Sequence, residues 1–255
     1  MPEQTPDPAA TGRLVVVTGG ARGLGRAIAE AFIDDRVVIG DLRADLAEQT
    51  AAELRAAGRD VTAYALDIAD PASVRAFAAE VAARGGAEVL VNCAAKADGV
   101  GGDTFWELDE AAFEQVLRIN TMGTWLVSKH LVAPMLERGA GVIINVASDA
   151  AFYGSPRLVH YVGSKGAVLA MTRTMARDAG PHGIRVNAVA PGLTRVEATE
   201  TVPADRYALY ATNRALPREQ VPGDVAGVVT FLASPAAGYL TGQAIVVDGG
   251  FVMPT

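Results

Sequence analysis

RLVVVTGGARGLG, residues 13–25, carries a β-branched run straight into a glycine-rich turn. The apolar run at 13–18 has the length and branching of a buried strand. The stretch at 23–34 that follows the turn reads as a helix. A diphosphate needs backbone N–H groups and a helix N-terminus aimed at it. Side chains would obstruct that approach, so Gly19, Gly23 and Gly25 leave the turn open, with Arg22 and Leu24 at its edge. A flexible turn without a ligand is the alternative. A strand before and a helix after favour the dinucleotide cradle.

The same alternation continues outward. Strands are expected at 36–40, 61–66, 88–91, 141–147, 184–189 and 243–247. Helices are expected at 44–57, 72–84, 159–179, 204–214 and 223–233, with one long helical region at 110–138. Near-continuous apolar strands indicate burial on both faces, as in a parallel sheet. Repeated β-α-β order with right-handed crossovers then predicts an α/β fold with a doubly wound, seven-stranded parallel sheet flanked by helices. Residues 13–255 read as one domain, and the Pro-containing stretch 1–12 as a flexible tail. Pro191 to about Val221 is the longest irregular stretch, and about 194–216 is the expected lid, mobile until ligands bind.

Composition narrows the function. The chain has 255 residues and a net charge of −7, without a Lys/Arg cluster, which argues against nucleic acid. No apolar run reaches the roughly 18 residues of a membrane span. A single cysteine, Cys93, excludes an internal disulfide and fits the cytoplasm. His130, His160 and His182 are dispersed, with no metal-ligand spacing, so no metal is expected.

Two kinds of residue carry chemistry. Asp41 ends the second strand, 22 residues after Gly19, where a carboxylate can accept hydrogen bonds from adenosine ribose hydroxyls and repel a 2′-phosphate. Its alternative role is a helix cap, for which Asp45 serves as well. Asp67, after strand three, faces the adenine or caps a turn. Tyr161 and Lys165 are four apart on an expected helix and share a face. An ammonium about 4 Å from a phenol contributes roughly 4 kcal/mol at an effective dielectric of about 20. That would bring the phenol from about 10 toward 7.

These features together resemble the short-chain dehydrogenase/reductase family over about residues 13–253. Thr18–Gly25 matches its T-G-x-x-x-G-x-G, and Tyr161-Val162-Gly163-Ser164-Lys165 its Y-x-x-x-K. Ser148 stands 13 residues before Tyr161, Asn120 lies in Arg118-Ile119-Asn120-Thr121, Pro191-Gly192 follows strand six and Asp248-Gly249-Gly250 follows strand seven. The resemblance implies a Rossmann fold and a catalytic tetrad of Asn120, Ser148, Tyr161 and Lys165. In it Tyr161 is the general acid/base, Lys165 also holds the nicotinamide ribose, Ser148 bonds the substrate oxygen, and Asn120 anchors a water. It further implies cofactor contacts from Gly19, Arg22, Gly23, Leu24, Gly25, Asp41, Leu42, Asp67, Ile68, Asn92, Ala94, Pro191, Gly192 and Thr194, and a homotetramer paired through the two long helices.

Four departures stand out. The family's N-N-A-G is here Asn92-Cys93-Ala94-Ala95, which places a side chain where the family has a glycine. Lys96 replaces an apolar residue and reads as a solvated loop lysine or a recogniser of an acidic substrate group. Val196 stands where a threonine is common, with Thr194 a substitute for contacts to the carboxamide. The turn between Phe32 and Arg36 is short and lacks a glycine. Cys93 reads as a small buried residue and His160 as non-catalytic.

The expectation is therefore an NAD(P)-dependent oxidoreductase interconverting a secondary alcohol and a ketone, with NAD favoured over NADP by Asp41. Its partner is a small-molecule substrate. An NADP-dependent reductase of 3-oxoacyl thioesters is the first alternative, with Arg22 and Arg43 meeting the 2′-phosphate. A non-catalytic dinucleotide-binding regulatory protein is the second, and an intact tetrad argues against it. The substrate pocket is expected around Asp149, Ala150, Phe152, Tyr153, Lys96 and the lid.

Overall fold

The structure is a computed structural model that describes residues 12–254; most of the expected N-terminal tail lies outside the described residues. Seven strands, β1 (Leu14–Thr18), β2 (Arg36–Asp41), β3 (Val61–Ala65), β4 (Val89–Asn92), β5 (Gly141–Val146), β6 (Ile184–Pro191) and β7 (Ala244–Val247), form one sheet in the order β3-β2-β1-β4-β5-β6-β7. Every neighbouring pair is parallel. The expected doubly wound sheet is what the chain forms.

Both faces of the sheet are apolar because both are covered. Val15 and Val17 of β1 and Val37 and Ile39 of β2 face α1 (Gly23–Ala31), α2 (Ala44–Ala56) and α10 (Pro222–Ala233). The alternate residues Leu14, Val16 and Val38 pack against α3 (Pro71–Ala83), α5 (Thr124–Leu131) and α6 (Ala133–Arg138), reaching Ala176 of α8 (Val159–Ala179). Period two thus feeds two cores at once. Phe77 and Ile28 are buried, and each such side chain contributes about 1.5–3 kcal/mol by leaving water.

The chain winds outward from β1 to β3, then crosses to β4 on the other side of β1. That reversal opens a crevice beyond the carboxyl ends of β1 and β4, the place where open α/β sheets bind ligands. The short turn after α1 is tied down by Asp35, whose carboxylate takes the Arg13 guanidinium at 2.8 Å and the Arg13 N–H at 3.2 Å. The backbone of this turn takes no positive φ, so it has no need of a glycine.

Two boundaries differ from expectation. The region read as one helix at 110–138 is broken into α4 (Glu110–Leu117), a π-helical turn at Arg118–Gly123, then α5 and α6. A π turn inserts one residue into the helical repeat and re-aims the side chains within it. Strand six runs on to Pro191, because Pro191 needs no donor to end a ladder. In the stretch after it, the helix expected at 204–214 forms as α9 (Ala204–Asn213), preceded by a 3-10 turn at Glu197–Thr199. The short helix α7 (Ala150–Tyr153) follows β5 directly. Among the described residues no helix is long and apolar enough to cross a membrane.

Candidate active site

A cavity of about 680 Å³ opens at the carboxyl edge of the sheet. It is lined at one end by Gly19, Arg22, Gly23, Leu24 and Gly25, with Asp41, Leu42, Asp67 and Ile68 beside them. Ser148, Tyr161, Lys165, Ala94, Pro191, Gly192 and Thr194 line the rest. The structure therefore brings these predicted residues to one space.

The glycine turn is built for close approach. Gly19 has φ +71, and a Cβ there would lie 2.8 Å from Ala94 Cα. A Cβ on Gly25 would lie 2.0 Å from the Gly19 carbonyl oxygen, so helix α1 could not seat against the turn. The first turn of α1 takes no side-chain cap, which leaves its N–H groups free for an anion. Thr18 fixes the neighbouring loop: its Oγ1 accepts from the Cys93 and Ala94 N–H groups, each at 3.1 Å. These residues fit a dinucleotide diphosphate.

Asp41 is buried, and its two oxygens accept the Ala21 and Arg43 N–H groups, each at 3.0 Å. It does not cap α2; it ties the glycine turn to β2 and keeps free lone pairs toward the cavity. Arg22 pairs loosely with Asp98 at 3.8 Å. Asp67 caps a turn through the Ala69 N–H at 2.8 Å while still lining the cavity. Ala95 causes no strain: Arg157 is the one non-glycine residue with positive φ among the described residues. Val196 and Glu197 of the segment after β6 reach the Gly23 end of the turn. Thr194 is buried and turned inward, its hydroxyl donating to Gly192 O at 3.0 Å.

Two predicted residues sit beneath the cavity instead of on its wall. Asn92 points into the core, donating to Ser128 Oγ and Asn145 Oδ1, each at 2.9 Å. Asn120, in the π turn, is almost fully buried. Its Oδ1 accepts the Lys96 N–H at 2.7 Å and its Nδ2 donates to Lys96 O and Ser164 Oγ. It brackets the loop after β4 against α8.

The proton chemistry differs from expectation. Lys165 Nζ donates to Val146 O at 2.7 Å and lies 5.9 Å from the Tyr161 ring centroid. Burial pushes Lys165 down to about 8. The Tyr161 phenol is pushed up to about 12, chiefly by desolvation, although the neighbouring Ser148 hydroxyl draws it down. The direction is opposite to the fall expected from Lys165, because desolvation is the largest influence on the phenol. Cys93 is likewise pushed up to about 11 by burial, so it is a neutral thiol, and His160 is held neutral-leaning by desolvation.

The expected pocket residues Asp149 and Tyr153 and the lid residue Tyr210 are joined in a hydrogen-bonded cluster that the sequence reading did not foresee. Asp149, next to Ser148 and almost fully buried, accepts Tyr210 Oη–H at 2.8 Å. Tyr210 Oη lies 3.1 Å from Tyr153 Oη, and Phe251 stacks on Tyr210 at 4.1 Å. Nothing in the linear spacing joins positions 149, 153, 210 and 251. Desolvation, with Asp248 nearby, pushes Asp149 up to about 7.

A raised carboxyl keeps its proton in the folded state where the unfolded chain has lost it. Stability linked to Asp149 is therefore complete below about pH 4 and falls as pH rises through about 7, by about 4 kcal/mol in all. Asp149→Asn keeps an acceptor for Tyr210 and cannot ionise. Urea unfolding between pH 4 and 8 should show the variant gaining on the wild type by about that amount. A constant difference across the range would contradict the shift.

The family model described as enoyl-(acyl carrier protein) reductase matches residues 19–252. The chain is 36% identical over 250 residues to 2-(S)-hydroxypropyl-CoM dehydrogenase 3 of Xanthobacter autotrophicus, covering 93% of this chain and 95% of that one. It is 37% identical to a 3-alpha-(or 20-beta)-hydroxysteroid dehydrogenase of Mycobacterium bovis, over 94% of this chain and 90% of that one. A crystal structure of a gluconate 5-dehydrogenase from Burkholderia cenocepacia, in complex with NADP and tartrate, has a TM-score of 0.88 at 29% identity. It covers 94% of this chain and 95% of that chain. A match over nearly the whole chain, on a sheet and glycine turn of this geometry, shows that the chain belongs to the short-chain dehydrogenase/reductase family of oxidoreductases.

Proposed function

We propose that this chain is an NAD-dependent dehydrogenase that oxidises a secondary alcohol to a ketone, and reverses the reaction, with Tyr161 as the proton-transfer residue. One observation carries the reading: Ser148, Tyr161 and Lys165 open onto the same cavity as an unobstructed glycine cradle. The nicotinamide dinucleotide, when bound, accepts or supplies the hydride. Its diphosphate is held by the turn at Gly19–Gly25 and its adenosine ribose by Asp41. Ser148 donates a hydrogen bond to the substrate oxygen and steadies charge developing there. Tyr161, protonated in the free protein, gives its phenolic proton to the carbonyl oxygen in reduction and, as the phenolate, takes the carbinol proton in oxidation. Lys165, fixed by Val146 O, holds a positive charge one helical turn beyond the phenol.

Asp41 supports NAD over NADP. A 2′-phosphate would meet a buried carboxylate already committed to two backbone donors. Arg43 Nε is 4.0 Å from Asp41 Oδ1, close enough to serve a phosphate only once the carboxylate is gone. The NADP in the Burkholderia structure belongs to that protein's site.

Tyr161→Phe should lower kcat by more than about a hundredfold, the scale of a lost general acid–base group, while NADH still binds by fluorescence. Retention of most of the rate would refute the assignment. The wild type should show a kcat/KM for NAD roughly tenfold or more above that for NADP, and Asp41→Ala should narrow or invert the ratio. A wild type that favours NADP would show the cofactor reading to be wrong.

A further inference from the structure

Arg206, on α9, lines the cavity and is half-buried. Its Nη2 donates to Tyr153 Oη at 3.0 Å and to Ser155 Oγ. Among the described residues its Nη1 and Nε make no hydrogen bond, and no carboxylate comes within ion-pair reach. Its neighbours in the same segment are matched. Arg195 pairs with Glu219 at 2.7 Å and Arg218 with Asp224 at 2.6 Å. Arg214 is sunk into the Asp248 and Leu193 carbonyls and Gln220 Oε1. Arg206 alone of these is tethered by neutral hydroxyls and offers spare donors to the cavity.

Taking a cation partly out of water without a counter-charge is unfavourable. The nearest acid along the hydrogen-bond chain is Asp149, reached through Tyr153 and Tyr210. Burial holds Asp149 up to about 7, so it offers only part of a charge at neutral pH. Lys96 lines the cavity from the loop after β4 and also makes no ion pair among the described residues. The cavity wall also carries the apolar side chains of Leu158, Val202 and Val100. A neutral alcohol would leave both cations unmatched. A carboxylate suits a guanidinium whose fork already has one nitrogen fixed in place.

Resting on the alcohol–ketone reading above, we propose that the substrate is a secondary alcohol bearing a carboxylate, and that Arg206 receives that carboxylate while Tyr153 and Ser155 hold the guanidinium toward the cavity. The same hydrogen-bond chain runs from Arg206 to Asp149 beside Ser148, so the binding end and the reacting end share one rigid network.

The test uses short-chain and cyclic hydroxycarboxylates, each paired with its methyl ester, assayed with NAD on the full chain. Each ester keeps the carbinol and skeleton and removes the charge. Wild type should favour at least one acid over its ester by about tenfold to a hundredfold in kcat/KM, the scale of a charge-assisted hydrogen bond. Arg206→Gln should lose that preference, with the acid's KM raised about tenfold or more relative to the ester's. Arg206→Lys should recover part of it. An unchanged melting temperature in Arg206→Gln separates lost binding from lost folding. Equal use of acids and esters by wild type, or acid preference unchanged in Arg206→Gln, overturns the proposal while leaving the alcohol–ketone reading intact. Turnover of neither acids nor esters, together with no turnover of simple secondary alcohols, overturns that reading and this proposal with it.

Discussion

A buried ladder of amide and hydroxyl side chains holds this site together. It begins at the Tyr161 carbonyl, which accepts from Ser164 Oγ at 2.7 Å. Asn120 Nδ2 joins that hydroxyl, and the Asn120 carbonyl accepts from Thr124 Oγ1 at 2.8 Å. The Thr124 carbonyl accepts from Ser128, Ser128 accepts from Asn92, and Asn92 also reaches Asn145, which donates to Thr172 on α8. Two strands and two helices are thereby locked in one register. Each bond contributes only about 0.5–1.5 kcal/mol net. Breaking one strands a polar group in a dry interior, so the ladder enforces one arrangement more than it adds stability. The first two turns of α8, which carry Tyr161 and Lys165, inherit that precision.

Around this frame, desolvation sets the electrostatics. It raises Tyr161, Cys93 and Asp149 and lowers Lys165, so every one of these groups is drawn toward its neutral form. Such a cavity holds polar and charged groups only where donors or acceptors are fixed in advance. Three places meet that condition: the uncapped start of α1, the carboxylate of Asp41, and the guanidinium of Arg206. They divide the cavity into a cofactor end and a substrate end, with Ser148 and Tyr161 lining the same space.

Much of the fold could be read directly from residue order. Period-two apolar strands such as Leu14–Thr18 feed two cores, and their near-continuous hydrophobicity marks both faces as buried. The glycine turn was legible because φ > 0 at Gly19 and the contact at Gly25 forbid any other residue. The break in the region at 110–138 was not legible. A π turn arises from tertiary demands on Asn120, whose side chain must reach Lys96, and local periodicity says nothing of that. Asn92 showed only as a motif position; its place in the core depends on Ser128 and Asn145, far away in sequence. The Asp149–Tyr210 contact and the depth of Tyr161 share that origin, since burial belongs to the folded chain. Ala95 stands where the family motif has a glycine, yet the backbone there never enters the left-handed region.

The account stands on hydride transfer at this cavity. Its most direct measurement is mass analysis of the cofactor after incubation of the protein with NAD and secondary alcohols deuterated at the carbinol carbon. The predicted result is reduced cofactor carrying one deuterium, formed in step with the ketone. Reduced cofactor without deuterium, or ketone formed without reduced cofactor, would contradict it.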